Sequence, residues 1–337
     1  MKRVMVVMSV LFVWIGACSD SKSSSSTKGD GPTFAGLLGA VPDTADTRAR
    51  PVFYSNLRSL RDGERPKTFE DDVRLLFDKS STRLFLPDAV GTGMLEPDFA
   101  RYAGFDTRQI EASLEFGELP DNVAVLVGTM KAGEIRKGLA ASPGGDQLVE
   151  NSVDGVTYLS LGDDGGDFGS VSPIRRIGQP LRMAIMGDTL YWGRTTPSVE
   201  ACIAAAGDAA PSLGDDSNYS AVAGALDKGG IVNGVLVAPA GGESWTLAGL
   251  GETFQGETST VTIALQYATP AMAASAATAF KAHVENDQSL ATARPWSAVL
   301  TVSAAAADGS LMIATLTSTK PGISSTVVVQ QDNLLQF

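Results

Sequence analysis

Two cysteines and one histidine among 337 residues leave little material for metal, thiol or imidazole chemistry. The histidine is His283, so a multi-histidine metal site is excluded and a single imidazole base is the most the chain offers. It falls in Ala279-Phe280-Lys281-Ala282-His283-Val284, on a predicted helix at the edge of a buried face. Positive charge is scarce as well, with 26 Lys and Arg against 38 Asp and Glu for a net charge of −12. Such a surface repels polyanions, which disfavours nucleic acid, heparin-like polymers and direct docking on anionic lipid, and no nucleic-acid partner is expected. No apolar run reaches the ~20 residues that span a bilayer as a helix. G-x-S-x-G, Walker A, G-x-G-x-x-G, C-x-x-C and H-E-x-x-H are all missing, and no cofactor is expected.

What is there begins with Lys2 and Arg3, followed by Val4 to Ala17, apolar except for Ser9. That is the charged start and short hydrophobic segment of a secretory signal. It closes on Ile15-Gly16-Ala17-Cys18, which resembles the lipobox of bacterial lipoproteins. The resemblance implies cleavage before Cys18 and attachment of palmitate-like chains to its thiol and new amino group. Several chains on one residue give lasting attachment where one gives only marginal binding. Residues 1–17 are then the signal and 18–33 a tether, since Ser19 to Gly31 contains no apolar side chain and cannot offset its ordering entropy by burial. S-x-x-K matches at Ser19/Lys22 and Ser25/Lys28 fall inside this tether, where no pocket positions them. Ser19, rather than Asp, after the cysteine implies the outer membrane, facing the periplasm, if the host is Gram-negative. Removal of Lys2 and Arg3 makes the exported chain more acidic still.

With Cys18 acylated, Cys202 is the one remaining thiol and no intramolecular disulfide can form. Val199, Cys202, Ile203 and Ala206 share a face at helical spacing, so Cys202 reads as a small packed hydrophobe.

The body reads as α+β, with mainly antiparallel sheets, helices on one face and repeated split β-α-β-like units. Strands are predicted at 52–57, 123–127, 156–161, 181–185, 190–194, 261–267, 299–302, 311–316 and 327–329. Helices are predicted at 69–77, from Phe105-Asp106 through Ile110 and Leu114, and at 134–141. Gly187-Asp188 and Asp308-Gly309 mark tight turns. Thr196-Pro197 and Thr269-Pro270 each follow a strand and open a helix, with threonine as cap and proline in the first turn, and Thr129 opens a third without proline. Gly229-Gly230 and Gly241-Gly242 bracket an expected boundary between lobes 34–240 and 241–337.

Four phrases taken together, Gly104-Phe105-Asp106, Asp154-Gly155-Val156-Thr157-Tyr158, Thr189-Leu190-Tyr191-Trp192-Gly193 and Ser212-Leu213-Gly214-Asp215-Asp216, resemble uncharacterised exported bacterial proteins of DUF3352-like type over roughly residues 50–230. The resemblance implies an envelope protein and supplies no catalytic residues.

Among local clusters, Asp163, Asp164 and Asp167 in a glycine-rich loop are the one candidate for calcium, although their spacing departs from the EF-hand. Asp215-Asp216-Ser217 reads as a helix start. Trp192, Trp245 and Trp296 with Tyr54 and Tyr158 are either core or an aromatic surface. The expectation is a lipid-anchored envelope protein, non-enzymatic, binding or supporting another envelope protein. Alternatives are a periplasmic carrier or chaperone for an apolar ligand or polypeptide, and a histidine-independent hydrolase.

Overall fold

Alternation of apolar side chains along each strand decides which layer that strand's neighbours join. The structure is a computed structural model describing residues 31–80, 84–91, 93–164, 169–255, 258–329 and 332–337. Cys18, most of the tether and Asp167 lie outside the described residues.

The chain runs through α1 (Phe34–Leu37), α2 (Ala45–Arg48) and β1 (Val52–Asn56), then α3 (Leu57–Glu64), α4 (Phe69–Ser80), α5 (Asp88–Gly91) and α6 (Phe99–Ala103) to β2 (Ile110–Phe116). β3 (Val123–Gly128) and α7 (Ala132–Ala141) lead into a meander of β4 (Val149–Val153), β5 (Val156–Leu161), β6 (Leu181–Met186) and β7 (Thr189–Gly193). After α8 (Thr196–Ala206) and α9 (Ser217–Lys228) come β8 (Asn233–Val237), β9 (Leu247–Gln255) and β10 (Thr258–Gln266). The chain closes with α10 (Pro270–Asn286), β11 (Leu300–Asp308), β12 (Leu311–Ser318) and α11 (Ile323–Val329).

The strands form one antiparallel sheet in the order β11-β12-β10-β9-β8-β1-β2-β3-β7-β6-β5-β4, and the fold is α+β. β10 and β11 run parallel with β12 between them and α10 as the crossover, the split β-α-β path. β3, α7 and β4 follow the same path with three returning strands in place of one. The sheet is unbroken at the expected lobe boundary, because β8 and β9 pair across it from Asn233↔Glu252 to Val237↔Ala248.

Successive residues of β3 point to opposite layers. Val123, Val125 and Val127 join Tyr191, Ala184 and Tyr158 beneath α1, α8 and α9, whereas Ala124 and Leu126 join Trp192 and Met183 beneath α3 to α7. Helices on one face therefore describe only the outermost strands, where α10 packs on β11 and β12; α11 packs on β8 and β9, and β10 also meets α9 on its other face. Over the middle of the sheet helices cover both faces, because a strand apolar at every position needs cover on both.

Four local readings are corrected. The segment from Ile110 through Leu114 is a strand, in which Ala112, Leu114 and Phe116 form one buried row at a period of two and a bulge between Ile110 and Ala112 puts Ile110 into the opposite layer. Asp106 instead opens a short turn, accepting from the Arg108 N–H at 2.9 Å. The valine run 327–329 is helical in α11 rather than a strand. Asn56 ends β1 by accepting from the Ser59 N–H at 2.8 Å, which starts α3. Thr269 caps α10 as expected, while α8 is preceded by Thr195 and α7 by Lys131.

Candidate functional site

Trp192 on β7 reaches an open cleft of about 380 Å³ beside the sheet, sharing its apolar floor with Ile174 and Leu181. The indole is fixed from behind. It stacks on Phe99 at 6.3 Å and 11° and meets Phe105 edge-on at 6.1 Å and 89°.

One rim of the cleft is the turn 172–179. Arg175 within it points inward and is fully buried. Its Nε donates to the Gln179 carbonyl at 2.7 Å and its Nη2 to the Gly178 carbonyl at 3.2 Å, while Ser172 and Arg175 exchange backbone bonds. A Cβ on Gly162 would meet the Arg175 guanidinium at 2.4 Å, so that glycine admits the inward arginine. The consequence is a rigid turn that presents Arg176 and Ile177 outward, with Ile177 58% exposed.

The opposite rim is charged. Arg194 donates to Asp88 at 2.6 Å, and the Asp88 N–H points at both carboxylate oxygens of Glu115 at 3.3 Å. The Asn122 amide donates to Glu115 at 2.9 Å. Burial pushes the Glu115 carboxyl up to about 7, outweighing those donors and Arg194. An acid raised in the folded state contributes stability that is fully present below its ordinary value near 4.5 and is lost as pH rises through about 7. Chemical denaturation is therefore expected to show the chain roughly 1–2 kcal/mol less stable at pH 8 than at pH 5 from this group alone, after allowance for partial solvation. Glu115→Gln removes that difference; an unchanged pH slope in the variant would contradict the assignment.

A second opening, of about 550 Å³, is lined by Arg61, Asp62, Arg65, Pro66, Asp72 and Arg108. Most of its charge is committed, Arg61 to Asp72 at 2.6 Å and Arg108 to Asp106 at 2.8 Å.

The sequence-predicted candidates are dispersed. Cys202 is fully buried in α8 and burial pushes its thiol far up, which keeps it protonated. His283 is buried on α10, with Nδ1 2.7 Å from Asp287 and its ring beside Phe337. Asp164 is bound to Arg182 at 2.5 Å, and Asp163 is the other described member of the calcium candidate. Asp216 caps α9 through the Asn218 and Tyr219 N–H groups. Burial acts to raise it, but the Arg48 bond at 2.8 Å and those amides hold its carboxyl below the usual range. Tyr54, Tyr158, Trp245 and Trp296 are core residues, and Trp192 alone of the five lines the cleft.

Asp88, Glu115, Arg194, Arg176 and Ile177 were missed from sequence. Glu115 was hidden by the helical reading of its strand. Asp88 and Arg194, 106 positions apart, meet only through the sheet order.

No known protein family matches the chain, and no curated protein does. Solved structures similar to it include crystal form III of TP0453, at 10% identity and a TM-score of 0.43, covering 89% of this chain and 99% of that one. Crystal form I of TP0453 matches at 10% identity and a TM-score of 0.40, covering 89% of this chain and 98% of that one.

Proposed function

We propose that the chain is a lipid-anchored protein of the bacterial cell envelope whose body is a non-enzymatic binding module, using the Trp192 cleft to engage another envelope protein. The carrying observation is the built rim: an exposed Ile177 beside Arg176 on a turn locked by buried Arg175, over an apolar floor. A rigid apolar anchor next to an arginine suits protein recognition, where little ordering cost remains at binding. The charged linings of both openings suit a protein surface better than the acyl chains of a carrier's cargo. Glu115 stands behind Asp88 rather than on the cleft wall, so its near-neutral carboxyl tunes the rim and does not face a substrate. The anchoring reading rests on Lys2, Arg3 and Ile15-Gly16-Ala17-Cys18.

The test uses the full chain in its own membranes, with a photo-crosslinking side chain in place of Ile177 and a control at exposed Glu285. One dominant protein adduct at position 177, reduced about tenfold by Arg176→Glu, is expected. Equal adducts at both positions, or lipid as the crosslinked species, would overturn the binding-module reading. Cys18→Ser is expected to abolish membrane partitioning and to change the mass of the mature product; unchanged partitioning would overturn the anchor.

A further inference from the structure

The two ends of the sheet differ in how they are guarded. β4 is five residues long and carries Glu150 in an ion pair with Arg136. β11 is nine residues long, pairs only with β12, and has no charge or proline from Leu300 to Ala307. Among the described residues no other segment pairs with its outer backbone. A bulge at Ser303 is its one break, leaving Ala304 to Ala307 as a run of small side chains. An edge of this kind is a template for another strand. Helix α10, which packs on β11, exposes only small residues between Ala273 and Ala279, so no long side chain in that stretch blocks approach.

We infer that β11 is a dimerisation edge, pairing antiparallel with β11 of a second copy of this chain to continue the sheet across a twofold axis. Charge selects that occupant. A net charge of −12 opposes contact between copies in general, so it selects the neutral edge as the place of contact, and the charges at the ends of that edge select the occupant. Asp308 is exposed at one end of β11, and exposed Lys320 follows β12 beside the other end, since Leu300 pairs with Ser318. Neither side chain has an ion-pair partner among the described residues. Antiparallel pairing turns the Asp308 end of each copy toward the Lys320 end of the other, so the same attraction is made twice, as an isologous interface requires. Backbone bonds between the edges supply the attraction along the strand and the two charge pairs set its direction.

The test is cysteine crosslinking of the full chain in its membranes, with Ala304→Cys on β11 and Ser152→Cys on β4 as the control; buried Cys202 does not contribute. Ala304 is exposed at the midpoint of β11, where the twofold axis sets it opposite its own counterpart within disulfide reach. A disulfide-linked species of twice the chain mass is expected for Ala304→Cys and not for Ser152→Cys. Adding Asp308→Lys sets like charges together at both ends and is expected to lower the yield roughly tenfold. Adding Lys320→Asp as well restores it. A yield at Ala304→Cys no higher than the control, a crosslinked partner of different mass, or no recovery in the charge-swapped variant would overturn the proposal.

Discussion

Replacing Glu252 by alanine lowers the unfolding free energy by about 3–5 kcal/mol and the thermal midpoint by roughly 10 °C. Glu252 is fully buried on β9. Its carboxylate accepts from the N–H groups of Gly322 at 3.1 Å, Ile323 at 3.2 Å and Ser324 at 3.1 Å, and from the Ser259 hydroxyl at 3.0 Å. The three amides belong to the start of α11, so one side chain satisfies donors that the helix cannot satisfy itself. Alanine leaves all four donors in the core without that acceptor, each costing about 1–3 kcal/mol before relaxation. Glu252→Gln keeps the shape and one good acceptor and is expected to cost less than half as much. Burial pushes this carboxyl up against the pull of its donors. Its contribution is therefore largest at acidic pH and declines as pH rises. Urea denaturation of the full chain, with amide exchange across α11, measures both effects; a loss under 1 kcal/mol for Glu252→Ala would refute this account.

The same carboxylate explains why the tail was misread. Val327-Val328-Val329 has the composition of a strand, and nothing local opposes that reading. What turns it into a helix is an acceptor about seventy positions earlier, Glu252, whose bonds to the 322–324 backbone fix the first turn. Local signals sufficed where they were self-contained. A continuous apolar run placed β3, and short, mostly apolar runs placed β5 and β6; Gly187 at φ 63° and Gly309 at φ 59° made the expected tight turns; and Thr269-Pro270 opened α10. They failed where spacing was ambiguous, as at Ile110 and Leu114. They also failed where the partner was distant. The floor of the cleft, Trp192, stood in a legible strand, but its rim is assembled from the α5 start, the 172–179 turn and the residue after β7. Arg175 gave no sign in the sequence that it would turn inward, because the carbonyls that satisfy it exist only once the turn has closed.

Asp72→Ala is expected to cost about 3–5 kcal/mol, the loss that follows when a buried charge is deprived of its counter-ion. Asp72 on α4 has no exposed surface, and Arg61 on α3 grips it with Nε at 2.6 Å and Nη2 at 3.1 Å. The remaining guanidinium donors are used as well, Nη1 on the Ile110 carbonyl at 2.5 Å and Nη2 on the Thr107 carbonyl at 2.7 Å. The Thr107 hydroxyl completes the carboxylate at 2.8 Å. This network joins α3, α4 and the turn that enters β2, three segments the sequence presents as unrelated. Removing the carboxylate strands Arg61 in a site built to neutralise it and releases Thr107. Removing both charges, in Arg61→Met with Asp72→Leu, takes away the desolvation cost together with the attraction. The double variant is therefore expected to be more stable than Asp72→Ala, with a coupling of about 1–3 kcal/mol between the two positions. Urea denaturation of Arg61→Met, Asp72→Leu and the double variant reads that coupling directly. Strictly additive losses, or a cost for Asp72→Ala below 1 kcal/mol, would show that the pair is solvated and holds nothing together.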